Sequence, residues 1–62
     1  MITIYNNLNN NALPYIVVKD KKCWVIDSTG EYISEIDLQP HFETLEVFEN
    51  VPEHIQKIVD GL

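Results

Sequence analysis

The chain has 62 residues, a net charge of −6 at pH 7 and a single cysteine. This length predicts one small domain over residues 1–62, and a domain of this size buries only about 60% of the surface of its unfolded chain. One cysteine excludes an internal disulfide, and the two histidines lack the spacing of metal ligands. We therefore expect no metal and no cofactor, and we expect self-association or a protein partner to supply any missing stability.

No apolar run reaches the about 20 residues that a membrane-spanning helix needs. The first eleven residues lack the basic start and the long apolar core of a signal peptide. A free thiol is typical of a reducing compartment. These features predict a protein of the host cell cytoplasm that has no membrane partner.

The charge is unevenly distributed along the chain. Residues 1–22 carry three lysines and one aspartate, whereas residues 23–62 carry nine acidic residues and one lysine. The C-terminal part would repel phosphate groups, so we expect no direct nucleic-acid binding. The same part would attract a basic protein surface.

The N-terminal half alternates in the manner of β-strands. Residues 1–5 predict a short strand that pairs with the edge of the sheet, and the asparagine-rich residues 6–11 predict a surface loop. Tyr15–Ile36 predicts three strands joined by two tight turns, which form a β-meander.

The two turns set a register and therefore sort the side chains into two apolar faces. A two-residue turn at Asp20-Lys21 places Val17 opposite Trp24, and a three-residue turn at 28–30 places Ile26 opposite Tyr32. The aliphatic face then consists of Ile16, Val18, Cys23, Val25 and Ile33. The aromatic face consists of Tyr15, Val17, Trp24, Ile26 and Tyr32.

Residues 37–62 change to a helical period. A first helix is predicted from Leu38 or Pro40 to about residue 50, and residues 44–48 remain open as a fourth strand, so the state of residues 42–49 is unsettled. A second helix, 52–60, has an apolar stripe that suits packing on a sheet. The predicted fold is α+β, a small antiparallel meander of three or four strands with a C-terminal helix, or a kinked helix pair, on one face.

Two segments resemble a known group of proteins. Residues 25–30, VIDSTG, and residues 47–62, VFENVPEHIQKIVDGL, are similar to segments of short phage and prophage accessory proteins. In those proteins a β-meander with a V-D-x-x-G turn leads into a helix that reads roughly A-P-E-L-L. The resemblance covers about half of the chain, and Asn50-Val51 replaces the usual small pair. It implies a small accessory protein and names no activity.

The aromatic face is one predicted partner-binding surface. One face of the sheet is expected to be covered by helix, and the aliphatic face suits that packing better. Tyr15, Trp24 and Tyr32 would then remain for a host protein or for a second copy, since such side chains are typical of protein interfaces. Alternatively, the asparagine loop and residues 1–5 fold over this face.

A second predicted surface is acidic. Glu43, Glu46, Glu49 and Glu53 recur every three or four residues, and we call this set the acidic ridge. It is either the solvated face of a helix or a surface that docks on a basic partner. Cys23 is expected to be a buried strand cysteine, and neither histidine stands beside a nucleophile, so we expect no enzymatic activity.

The predicted function is accordingly non-enzymatic. A small acidic accessory protein of phage type would bind a host protein and modulate it as an inhibitor. The alternative is a structural, self-associating homodimer that uses the aromatic face as its seam.

Overall fold

The computed structural model describes residues 1–62 and confirms an α+β fold with a four-stranded antiparallel sheet and one C-terminal α-helix. The strands lie in the spatial order β1-β2-β3-β4. The elements are β1 (Ile2–Asn6), β2 (Tyr15–Lys19), β3 (Lys22–Ile26), β4 (Ile33–Ile36), a 3₁₀ helix (Pro40–Thr44) and α1 (Glu53–Asp60).

The register between β2 and β3 is the predicted one. Val18 pairs with Cys23 and Val17 pairs with Trp24, so Asp20-Lys21 is the two-residue turn. Asp20 has a φ of 55°, a left-handed conformation that aspartate tolerates better than most residues. The prediction that residues 1–5 form a strand at the edge of the meander is also confirmed, because β1 pairs antiparallel with β2.

The register between β3 and β4 differs from the prediction by one residue. Ile26 pairs with Ile33, and the Asp27 N–H donates to the Tyr32 carbonyl at 3.1 Å. The loop therefore has four residues, 28–31, and one extra residue reverses the alternation of β4. Ile33 consequently joins the aromatic face, and Ile36 takes the predicted place of Ile33 against the aliphatic cluster.

The Asp27 carboxylate holds this longer loop together. It accepts hydrogen bonds from the Thr29 hydroxyl at 3.0 Å and from the Tyr32 N–H at 3.3 Å. Slight desolvation acts to raise the pKa of Asp27. These hydrogen bonds, together with the Gly30 and Glu31 N–H groups, have the larger effect, so the pKa is lowered from its ordinary value.

Asp27→Asn is expected to lower the melting temperature near neutral pH. Because the pKa is lowered in the folded state, the charged form stabilises the fold above the pKa of the unfolded chain, about 3.9, and that contribution is lost as the pH falls through the folded-state value. The difference in melting temperature from the natural sequence should therefore shrink below about pH 4. Thermal unfolding followed by circular dichroism from pH 2 to 7 measures it. A difference that grows on acidification would contradict the assignment.

The predicted helix over residues 52–60 is confirmed. The prediction that it packs on the aliphatic face is wrong, because α1 packs on the aromatic face. Ile55 and Val59 are fully buried against Tyr15, Val17 and Ile26. Complete burial of each such aliphatic side chain is worth about 1.5–3 kcal/mol. The helix ends at Gly61, whose N–H donates to the Ile58 carbonyl at 3.1 Å, and the Glu53–Lys57 pair spans 3.6 Å.

The helix predicted from Leu38 or Pro40 to residue 50 is wrong. Only the 3₁₀ helix forms, and the chain is extended from Leu45. Phe42 packs on the aliphatic face, whereas Phe48 packs on the aromatic face, with its ring centroid 4.9 Å from that of Tyr15. A straight helix cannot reach both faces, so tertiary packing overrides the helical pattern here.

Residues 46–48 instead run along the outer edge of β1. The Asn6 N–H donates to the Glu46 carbonyl, and the Phe48 N–H donates to the Ile4 carbonyl, both at 2.8 Å. This is a single β-bridge, between Tyr5 and Val47. The open alternative of a strand near 44–48 was therefore closer to the structure than the helix was.

Both faces of the sheet are thus covered by the chain itself. On the aromatic face the cover is α1 with Phe48, and on the aliphatic face it is Phe42 with Leu45 and Leu13. The α-helix thus covers one face, and a short 3₁₀ segment with one large aromatic side chain covers the other, so neither apolar face is left open to a partner.

Candidate functional site

The three aromatic residues predicted to bind a partner do not form one exposed surface. Tyr15 is only 6% exposed, because α1 and Phe48 cover it. Trp24 is half-buried between the sheet and the end of the chain, and Tyr32 is 53% exposed in the loop that precedes β4. Tyr15 is covered by α1, and the one-residue shift of the β4 register moves Tyr32 to the opposite side of the sheet, so the predicted aromatic surface does not form.

Trp24 borders a cavity of about 450 Å³ beside the turn between β2 and β3. The lysines of this turn, Lys19, Lys21 and Lys22, line the cavity together with Leu62. The Lys19 ammonium donates to the Leu62 carbonyl at 2.8 Å, which ties the turn to the residue that follows α1 and Gly61. The basic part of the chain is therefore partly engaged in holding the C-terminal residue.

The acidic ridge is fully exposed, but it is not the face of one helix. Glu43 lies in the 3₁₀ helix, Glu46 and Glu49 flank the bridge at the β1 edge, and Glu53 is the first residue of α1. Since the 3₁₀ helix and α1 lie on opposite faces, the ridge passes around the β1 edge of the sheet. The four carboxylates follow the segment that crosses from one face to the other.

A groove of mixed polarity lies beside the middle of the acidic ridge. It has a volume of about 620 Å³ and runs between the start of β1 and residues 47–51. Val47, which is 53% exposed, and Ile2 and Met1 offer apolar side chains there, and Glu49 lines the groove as well. Glu46 lines a smaller adjoining cavity of about 210 Å³ together with Val47.

The sequence did not indicate this groove, since Ile2 and Val47 were assigned only to their own elements. The signal available was the alternation of residues 44–48, TLEVF, which as an extended segment places Val47 on the side opposite Glu46 and Phe48. That alternation predicts an exposed apolar side chain only if the segment lies at a sheet edge.

Cys23 and the two histidines lie on three different elements, β3, the 3₁₀ helix and α1. Cys23 is completely buried under the aliphatic cluster, and this burial raises the pKa of its thiol to about 11. His41 is exposed beside the Phe42 ring, and the Nε2 atom of His54 lies 3.1 Å from the Ser28 carbonyl. No group of three or more His, Cys, Asp or Glu side chains lies close enough to hold a metal ion. The structure has no helix whose length and apolar character suit a membrane span.

Comparisons with protein-family models, with curated proteins and with solved structures found no match to this chain. The resemblance to phage accessory proteins therefore stays a prediction, and the site is described by its geometry alone.

Proposed function

We propose that the protein is a non-enzymatic binding protein that docks a basic surface of another protein at the β1 edge. The observation that carries this proposal is the combination of an acidic border with a groove that has apolar side chains at its centre. Ile2 and Val47 supply the apolar centre, and Glu46 and Glu49 supply the charged rim. Protein interfaces commonly have this anatomy, with an apolar core and a polar rim.

The net charge supports the same kind of partner. A chain with a charge of −6 attracts a basic surface over a distance of roughly 10 Å at moderate salt, which accelerates association with that surface and disfavours acidic ones. Glu43 and Glu53 extend the acidic border onto the two faces of the sheet, so a partner that contacts the groove would meet carboxylates on either side.

We further propose, from the sequence resemblance, that the protein is a phage or prophage accessory protein that acts in the host cytoplasm. In this role it would modulate, as an inhibitor, the host protein that it binds. A homodimer through the aromatic face is not favoured by any contact described above, because α1 already occupies that face.

The test uses capture of partners from the lysate of the native host by the immobilised protein. Changing the four ridge residues to glutamine should weaken the captured interaction about tenfold at low salt, because exposed ion pairs contribute about 0.2–1 kcal/mol each. The loss should diminish as salt rises, since salt screens the same charges in the unmodified protein.

A charge-matched control separates this site from general acidity. E46Q/E49Q and D20N/D60N each remove two negative charges, but Asp20 lies in the turn between β2 and β3 and Asp60 is the last residue of α1, and neither lines the groove or lies on β4. The proposal expects only the first pair to weaken capture. Equal losses from both pairs, or no loss from either, would refute a site at the β1 edge.

A further inference from the structure

The outer edge of β4 presents backbone groups that have no partner. Hydrogen-bonded pairs alternate along an antiparallel ladder, and the bond from the Asp27 N–H to the Tyr32 carbonyl fixes the phase. Val25–Ser34 and Cys23–Ile36 are then the hydrogen-bonded pairs of this ladder. The N–H and C=O groups of Ile33 and Glu35 consequently point away from β3.

This edge of the sheet is open along the whole of β4. At the other edge, residues 46–48 cover the middle of β1, where the Asn6 N–H donates to Glu46 and the Ile4 C=O accepts from Phe48, and only the start of that strand, at Ile2, stays open. Nothing in the chain hydrogen-bonds the outward groups of Ile33 or Glu35, and both residues are exposed. An open edge of this kind is a template for pairing with another strand.

The charges along β4 decide which strand fits. Glu31, Ile33, Glu35 and Asp37 alternate along one side of this segment, and all four are exposed. Two copies could pair antiparallel about Ser34, so that the outward groups of Ile33 and Glu35 bond across the two-fold axis. In that pairing Glu31 of each copy lies opposite Asp37 of the other. It would also join two chains of charge −6. Like charges directly opposite each other in a sheet are destabilising.

We propose that the β4 edge binds an extended, basic segment of a partner protein, which adds to the sheet as a fifth strand. The favoured segment has lysine or arginine opposite Glu31, Glu35 and Asp37 and an apolar residue opposite Ile33, which is 40% exposed. In this mode of recognition the main-chain hydrogen bonds provide affinity and the alternate side chains provide specificity. The surface is separate from the groove at the β1 edge, so this inference does not depend on the proposed function.

The probe is a blocked peptide, Lys-Thr-Lys-Thr-Val-Thr-Lys, added to the ¹⁵N-labelled protein and followed by NMR. We expect saturable shifts centred on the amides of Ile33 and Glu35, with an apparent Kd of about 1 mM or tighter, as a few backbone hydrogen bonds and exposed ion pairs permit. Hydrogen exchange at these two amides should slow on binding, whereas the amides of Ser34 and Ile36 are already protected in the free protein.

Two variants test the backbone and the charge separately. Glu35→Pro removes an outward N–H and no bond of the β3–β4 ladder, so it should weaken peptide binding about tenfold. Asn11→Pro, the control, removes an N–H that donates no hydrogen bond in the loop between β1 and β2, at a turn position that suits proline, and it should leave binding unaltered. Glu35→Lys keeps the backbone intact, and it should reduce binding of the basic peptide and increase binding of a peptide with glutamate in place of lysine.

Three results would overturn the inference. The first is equal affinity of the natural protein for the basic and the acidic peptide, and the second is a set of shifts that maps away from β4. The third is protection of the Ile33 and Glu35 amides that rises with protein concentration without any peptide, which would make a second copy the occupant. Loss of partner capture in E46Q/E49Q affects none of these readings, so the two proposals fail independently.

Discussion

Phe42→Ala is expected to destabilise the fold by about 3–5 kcal/mol, the usual effect of removing a buried aromatic side chain. Phe42 is the one buried residue of the 3₁₀ helix, and it packs on the cluster of Ile16, Cys23 and Val25. Only half-buried side chains, such as those of Leu13 and Leu45, would remain to cover this face. A folded domain of 62 residues has a total stability of roughly 3–9 kcal/mol, so this substitution should leave much of the protein unfolded at 37 °C.

Urea unfolding followed by far-UV circular dichroism measures this effect. Leu38→Ala is the matched control, because Leu38 lies just before the 3₁₀ helix and is 48% exposed. We expect the control to change the free energy of unfolding by no more than about 0.5 kcal/mol. Similar effects of the two substitutions would mean that Phe42 does not cover the aliphatic face.

Ile55→Ala is expected to cost about 2–5 kcal/mol, the second large effect. Ile55 is completely buried between α1 and the aromatic face, in contact with the cluster that contains Val17 and Ile26. Its loss would loosen α1 and expose Trp24, so the fluorescence of the single tryptophan should shift to longer wavelength at lower urea concentration than in the natural sequence.

Lys57→Ala is the control for this second prediction. Lys57 lies on the same helix, is exposed and pairs only with Glu53, so its replacement should cost less than about 1 kcal/mol. If α1 did not pack on the aromatic face, the native-state tryptophan emission and the urea midpoint of Ile55→Ala would both stay close to those of Lys57→Ala.

The strands and α1 could be predicted because their signals are local. Continuous apolar runs at 15–18 and 23–26, separated by a polar turn, determine β2 and β3 and their register. The apolar stripe of Ile55, Ile58 and Val59 determines α1. In these segments the local pattern and the tertiary packing favour the same structure, which is the condition under which sequence patterns are reliable.

The choice of face could not be predicted, because it depends on where the chain crosses the sheet. Phe42 and Phe48 are six residues apart, and their spacing suits one helix as well as an extended crossing. Tertiary packing buries these two rings on opposite faces of the sheet. It sends α1 to the aromatic face and buries Tyr15, a residue that the sequence indicated as a contact surface.

The β4 register was missed for a different reason. The sequence VIDSTG favours a three-residue loop that ends at Gly30. The Asp27 carboxylate also accepts a hydrogen bond from the Tyr32 N–H, and this bond makes Glu31 a fourth residue of the loop. Gly30 has a φ of 82° and lies against α1, where an added Cβ would stand 2.5 Å from the Ile58 Cδ1 atom. The turn is therefore shaped partly by a helix that lies 25 residues further along the chain.

The acidic ridge contains the four predicted glutamates, but the surface that they form is not the face of one helix. All four are exposed, and they pass around a sheet edge and border the groove. With both faces of the sheet covered, the surfaces left for partners are the groove at the β1 edge and the open edge of β4.

That the chain covers both faces of its own sheet is tested most directly by the reactivity of Cys23. The thiol lies at the centre of the aliphatic face and is completely buried, so a thiol reagent should modify it at least about 100-fold more slowly in the native protein than in urea. Native modification at a rate within a few-fold of the unfolded rate would show that this face is open, and it would contradict the cover provided by Phe42.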